Sequence, residues 1–229
     1  MYISFPKLTK YVQYTKKIAY IFSALNLPIE WITPAGMKVK MGYQQRESKP
    51  IKSLFSKLRI GSVSRPLTKL DSISNRIAFM PNLIHSMDAT NIQLLIKIFT
   101  DKNKTMNLLT THDCFATTPN YMYDLNKEIR LAFLMIYFKD DYIKSVHENF
   151  IKQIYNTTKL IYIKEKDKLV KVNIEDIKNI TLSLDCNKEY VIITNKNKYT
   201  IPSLPYNSKK LQKIKQNFER IVSSLYFIN

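Results

Sequence analysis

Cysteine is nearly missing from this chain: Cys114 and Cys186 are the only two, far apart and without the spacing of a metal site. That argues against a disulfide framework and fits a reducing compartment. Long apolar runs are missing as well. The stretch Ile18–Ile29 is shorter than the ~18–20 residues of a membrane-spanning helix, and it holds Ser23 and Asn26; no membrane partner is expected. Acidic residues are scarce, 18 against 36 Lys and Arg, and the first of them is Glu30. An acid-free leader is one mark of an organelle transit peptide. This one also lacks Arg, and Leu8, Val12, Ile18, Ile21, Phe22 and Leu25 recur as a core helix would, which is the reading adopted.

What is present is a basic, foldable chain. Its 229 residues suffice for one large or two small domains, and 45% of them are apolar. The net charge of +18 points to a polyanionic partner, above all nucleic acid. Only Arg46, Arg59, Arg65, Arg76, Arg130 and Arg220 are arginines. Lysine, asparagine and isoleucine share A/T-rich codons, so coding bias is the competing source of part of that charge.

The periodicity predicts a helix over 7–26, ended by Asn26-Leu27-Pro28. Ile29–Thr33 and Met37–Met41 alternate on either side of Pro34-Ala35-Gly36, which reads as a β-hairpin. Residues 51–79, basic and broken by Gly61 and Pro66, read as short strands joined by loops. Pro81 suits the first turn of a helix running to Phe99, with Ile84, Met87, Leu94, Leu95 and Ile98 as its packed face. Met106–Thr111 reads as a buried strand and Cys114–Thr117 as its return. Thr118-Pro119 starts a helix to about Phe138, and another covers Asp140–Tyr155. Leu160–Ile163, Leu169–Val172, Tyr190–Thr194 and Tyr199–Ile201 read as a β-rich insert closed by Pro202 and Pro205. Ser208 caps a last helix through Leu225.

Two blocks carry the chemistry. Thr110-Thr111-His112-Asp113-Cys114-Phe115 puts a carboxylate at a strand turn, and Met80–Asp88 carries His85, Ser86 and Asp88. Asp is common in turns for structural reasons alone, so the pairing of the blocks is what makes the signal specific. Together they resemble the carboxyl-terminal palm of the bacteriophage-type single-subunit RNA polymerases. His112-Asp113-Cys114-Phe115 is similar to that family's His-Asp-Ser/Cys-aromatic motif, in which the Asp binds catalytic metal. Cys114 stands where related DNA polymerases have Glu. Pro81, Asn82, Leu83, Ile84, His85, Ser86 and Asp88 match the family's Pro-Asn helix, with Asn91 where relatives often carry a second His. Glu30-Trp31-Ile32-Thr33-Pro34-Ala35-Gly36 resembles its Trp-x-Thr-Pro-x-Gly segment, and Tyr43 falls where a Tyr follows that hairpin.

The resemblance implies an α+β fold, a partial polymerase palm of helices on the hairpin bearing the catalytic Asp. Residues 1–158 would form the palm and fingers part, 159–205 the β-rich insert and 206–229 a carboxyl-terminal helix. It implies Asp113 as a ligand of Mg²⁺, which favours carboxylate oxygen. Two such ions hold the attacking hydroxyl and the leaving pyrophosphate in nucleotidyl transfer. His85 would recognise the ribose of the incoming ribonucleoside triphosphate, which an imidazole can do in either protonation state; a partly buried structural histidine is the bland alternative. His112 and Tyr43 would support, Trp31 would be structural in a half-buried hairpin, and Lys38, Lys40, Arg46 and Lys49 would follow the nucleic-acid backbone or form a solvated face. Template DNA and product RNA are the implied partners. The chain's ending resembles polymerases of mitochondrial linear plasmids, so a mitochondrial setting is expected.

The family's second metal-binding Asp and its triphosphate-gripping fingers helix precede the Trp-x-Thr-Pro-x-Gly segment. Met1–Glu30 offers no candidate for either. The expectation is therefore a segment that is inactive without an upstream polymerase fragment. Two alternatives stand beside it: a non-catalytic basic nucleic-acid-binding module or remnant, and a metal-dependent phosphohydrolase using His85, His112, Asp113 and Asp124.

Overall fold

The structure, a computed structural model, describes residues 6–52, 59–102, 107–111, 114–139, 141–158, 161–165, 168–171, 189–193, 197–205 and 220. It is α+β. Helix α1 (Pro6–Ala24) leads into the β1–β2 pair (Ile29–Ile32, Lys38–Met41) and a long ribbon, β3 (Gln44–Lys52) with β4 (Arg59–Leu70). Helix α2 (Ser72–Lys102) follows, then the short β5–β6 hairpin (Leu109–Thr111, Cys114–Ala116). A 3-10 turn (Pro119–Tyr121) opens α3 (Met122–Leu134), which runs into a π turn (Met135–Lys139) before α4 (Tyr142–Thr158). The four segments read as a β-rich insert are strands: β7 (Tyr162–Glu165), β8 (Lys168–Lys171), β9 (Tyr190–Ile193) and β10 (Lys198–Ile201) form one antiparallel sheet in the order β10-β9-β7-β8. The expected carboxyl-terminal helix falls, apart from Arg220, outside the described residues. Among the described residues no helix is long and apolar enough to cross a membrane.

Contacts divide the chain into two units. The first draws on Met1–Trp31, Lys40–Asn82 and Phe150–Pro205, the second on Ile32–Val39, Leu83–Asn149 and Tyr206–Asn229.

The first unit has an aromatic core. Phe22 of α1 meets Phe150 of α4 edge-on at 5.7 Å, Phe150 meets Phe79 of α2 at 5.6 Å, and Phe79 meets Trp31 of β1 at 5.8 Å. All four rings are fully buried, and edge-to-face contacts at this spacing add to the area they bury. Trp31 is thus structural as expected, wholly enclosed on the inner side of a hairpin whose strands also carry exposed positions. Helix α1 ends where the sequence predicts. Asn26 takes φ +54, and Leu27 N–H donates to the Phe22 carbonyl at 2.8 Å while Asn26 N–H donates to that of Ser23 at 3.1 Å. This is a Schellman cap, with Asn in the left-handed position.

In the second unit Leu95 and Phe99 of α2 pack on Leu125 and Ala132 of α3. Lys102 and the buried Glu128 form an ion pair between the same two helices. The turn after β1 is built as its Pro/Gly content predicts. Gly36 N–H donates to the Thr33 carbonyl at 2.8 Å, Thr33 N–H donates to that of Met37 at 2.8 Å, and Gly36 takes φ +90, where only glycine is unstrained.

Three expectations are corrected. Residues 51–79 are not short strands, because β4 runs unbroken to Leu70 and α2 starts at Ser72. Pro81 therefore lies inside α2. It sits on the exposed side of the helix, where the Ile77 carbonyl deprived of its partner can meet water. Ile84 is 45% exposed, and the buried positions are Asn75, Phe79, Leu83, Ser86, Met87, Thr90, Leu95 and Phe99. The third is β5, which is exposed along its length instead of buried.

His147 of α4 has no exposed surface, and burial lowers its pKa from 6.5 to about 4. The folded chain holds the ring neutral, whereas the unfolded chain binds a proton below about pH 6.5. The contribution of the neutral ring is therefore complete above pH 6.5 and is lost as pH falls to about 4, by roughly 3 kcal/mol in all. The urea midpoint should fall through this window, and the His147 ring signals should titrate near pH 4 in the folded chain. A midpoint near 6.5 would contradict the burial.

Candidate functional site

In the first unit the residue after the hairpin is held from three sides. Tyr43 N–H donates to Asn75 Oδ1 at 3.0 Å, and Asn75 Nδ2 donates back to the Tyr43 carbonyl at 2.9 Å. The same carbonyl accepts Asp71 N–H at 2.8 Å. Asn82 Nδ2 donates to the Tyr43 hydroxyl at 3.3 Å and to Met41 Sδ at 3.2 Å. Asn75 is buried while the Tyr43 side chain is 46% exposed. The backbone of Tyr43 is thereby fixed and its ring is presented to solvent. The sequence places Tyr43 and Asn82 in separate motifs; the fold brings them together.

Asp71 caps α2. One carboxylate oxygen accepts Ile73 N–H at 2.9 Å and Ser74 N–H at 3.3 Å; the other accepts the Ser74 hydroxyl at 2.6 Å. The Ser74 hydroxyl and then the Ser74 N–H lower the Asp71 pKa, so the cap stays ionised and faces the positive end of the helix.

Farther along α2, in the second unit, His85 and Asp88 are exposed and Ser86 is buried. Ser86 donates its hydroxyl to the Leu83 carbonyl at 2.6 Å, and Thr90 donates to that of Ser86 at 2.8 Å. Such back-bonds satisfy hydroxyls on a packed face. The alternative of a partly buried structural histidine does not hold for His85. Burial, and secondarily the charge of Asp88, raise the pKa of the Tyr137 phenol.

The β5–β6 hairpin pairs Thr111 with Cys114 and Thr110 with Phe115. Phe115 packs against the Leu95–Phe99–Leu125–Ala132 cluster, while Cys114 is exposed and free. The Thr117 hydroxyl closes the base of the hairpin on the Asn107 carbonyl at 2.8 Å. The aromatic residue of the His-Asp-Cys-Phe motif thus anchors its strand to α2 and α3. His112 and Asp113 lie outside the described residues. Among the described residues, no three His, Cys, Asp or Glu side chains group closely enough to hold a metal ion.

The expected backbone-binding cations lie on exposed positions. Lys40 pairs with Glu30 at 3.1 Å and Lys49 with Glu47 at 3.8 Å. Exposed pairs of this kind contribute little. Arg46 is exposed on β3, within a ribbon whose described positions from Arg46 to Ile51 and from Gly61 to Lys69 are all exposed.

The sequence alone does not reach Asp71 or Asn75. Asp71 carries a readable signal, an Asp three residues before Ser74 at a helix start; Asn75 carries none.

A family profile described as DNA-dependent RNA polymerase matches residues 7–229. The chain belongs to the DNA-dependent RNA polymerase family. It is 36% identical over 239 aligned positions to the probable DNA-directed RNA polymerase of Agaricus bitorquis, covering 97% of this chain and 21% of that protein. It is 31% identical over 157 positions to the probable DNA-directed RNA polymerase of Podospora anserina, covering 67% of this chain and 16% of the relative. The mitochondrial DNA-directed RNA polymerase of Mus musculus is similar at 24% over 119 positions. This polymerase segment therefore spans about a fifth of the Agaricus relative and less of the others. Family membership leaves the phosphohydrolase reading without support.

Replacing Asn75 with Leu keeps the branching at Cγ and removes the partners of the Tyr43 N–H and carbonyl. That should cost about 1–3 kcal/mol in urea denaturation, whereas Arg46→Ala on the ribbon should stay within about 0.5 kcal/mol. Equal losses for the two would contradict the clamp.

Proposed function

We propose that this chain is a carboxyl-terminal palm segment of a DNA-directed RNA polymerase, and that it works with the rest of the polymerase polypeptide. The reading rests on one observation: the family match runs through residues 7–229 and takes in all three motif blocks in order. In this reading the β5–β6 hairpin bears Asp113 as a carboxylate ligand of Mg²⁺, with His112 supporting it. Mg²⁺, when bound, offsets phosphate charge and favours the ionised form of the attacking 3′-hydroxyl. The chain's own part is positional. Phe115 and the Thr117–Asn107 bond hold the hairpin, and the packed face of α2 fixes the turn from which exposed His85 donates a hydrogen bond to the ribose 2′-hydroxyl. Tyr43 offers its ring beside the nucleic acid. Lys38, Lys40, Arg46 and Lys49 meet phosphates, with the weak pairs of Lys40 and Lys49 exchanged for backbone oxygens. Ribonucleoside triphosphates, template DNA and product RNA are the ligands, and the mitochondrion is the setting in which relatives of this kind are named.

A non-catalytic nucleic-acid-binding module is the second reading, favoured by the β3–β4 ribbon. A two-stranded ribbon has no core of its own, and one of this width fits a major groove. Ribbon and hairpin can serve one polymerase together; the two readings part at Asp113, which only the first makes essential.

The test is to join the full chain, in place of the matched segment, to the remaining portion of the Agaricus polymerase. Mg²⁺-dependent, template-directed RNA synthesis is expected. Asp113→Ala should abolish it, leaving salt-sensitive DNA binding unchanged. Full synthesis by the substituted protein would remove Asp113 from the chemistry.

A further inference from the structure

Within the first unit one exposed patch is not explained by the proposed chemistry. Ile73 and Ile77 stand one helical turn apart on α2, each 68% exposed. Residues at this spacing share a helix face. Beside Ile73, three residues on, the Arg76 guanidinium lies 6.0 Å over the ring of Tyr20 on α1. Tyr20 is 47% exposed and meets Tyr199 of β10 edge-on at 6.4 Å. The patch thus joins two large aliphatic side chains to an Arg-Tyr-Tyr row with Tyr20 in the middle. Aromatic residues and Arg are the types enriched at the centres of protein interfaces. A helix with two isoleucines this open to water gains nothing from them in the isolated fold, since the face that packs carries Asn75, Phe79 and Leu83.

We propose that this patch is the surface on which the segment docks against the remainder of the polymerase polypeptide, through an apolar face of that remainder. The occupant is argued from two observations. The Agaricus relative carries this segment within a protein of which it forms 21%, so most of that protein lies outside it. The chemistry of the patch also suits protein rather than nucleic acid: isoleucine methyls offer nothing to phosphate, and Arg76 is already engaged over a ring. The inference rests on the polymerase reading above, and its test separates the two.

The probe is the Agaricus polymerase with the matched segment deleted, mixed with the full chain as a separate polypeptide. Sedimentation measures association and a templated assay measures RNA synthesis. Wild-type chain should associate, with little dependence on salt. The pair Ile73→Glu and Ile77→Glu should weaken association by about tenfold or more and reduce synthesis in step. Both sites are exposed and tolerate Glu near a helix start, so thermal stability should be unchanged. Ile73→Gln with Ile77→Gln controls for charge and should weaken association too. Association that is unaltered by both pairs, or absent in the wild type, overturns the docking surface. Association that is lost as expected, in a wild-type complex that makes no RNA, upholds the surface and sinks the polymerase reading instead.

Discussion

Three side-chain amides complete strands that cannot complete themselves. The strands of the first unit next to the hairpin and ribbon come in pairs, so each leaves an edge of unmet N–H and carbonyl groups. Gln153 of α4 accepts Glu30 N–H at 3.1 Å and donates to the Glu30 carbonyl. Asn75 of α2 does the same for Tyr43. Asn26, at the end of α1, accepts Leu70 N–H at 2.9 Å and donates to the Thr68 carbonyl at 3.3 Å. A primary amide has the donor and acceptor of a peptide group, displayed from a side chain, so each helix supplies a peptide-like edge to a strand. The backbone of β1 at Glu30, of the stretch leading into the ribbon at Tyr43 and of the end of β4 at Thr68 and Leu70 is tied by these bonds.

Helix α2 is ordered from its first turn onward. Its first turn is capped by Asp71, its second is tied by Asn75, and Phe79 locks it into the aromatic core. The helix then continues past Pro81 without ending. The packed side of the same helix takes Ser86 and Thr90, whose hydroxyls are satisfied within the helix. What remains on the open side is His85 and Asp88. A motif of consecutive residues is thus divided by helical geometry into a part that packs and a part that faces outward. The Cys-Phe half of the other motif divides the same way: Phe115 packs and Cys114 is exposed.

Much of this was legible. The Thr-Pro-x-Gly turn was readable because proline and glycine there each answer one backbone requirement, and the β-rich insert because alternation is a strong signal bounded by polar turns. The end of α1 at Asn26 was readable for the same kind of reason. The start of α2 was not. Proline prefers the first turn of a helix, but the Asp71 cap and the burial of Phe79 outweigh one lost hydrogen bond on an exposed face. The strand character of the ribbon is legible but its length is not, because its exposed positions from Arg46 to Ile51 and from Gly61 to Lys69 carry no alternation to read. The amide ties are invisible for a different reason. Asn75 and Gln153 reach backbone groups 32 and 123 residues away in sequence, and nothing local marks them.

In the proposed reading α2 holds His85 open to the ribose of an incoming nucleotide. The most direct measurement is the ratio of kcat/KM for a ribonucleotide to that for the matching deoxyribonucleotide, compared between the assembled polymerase and its His85→Ala variant. A hydrogen bond to the 2′-hydroxyl lost without refolding should reduce that ratio by about tenfold, with the deoxyribonucleotide rate little changed. A ratio that stays the same in the variant would contradict the claim, whatever the effect on overall rate.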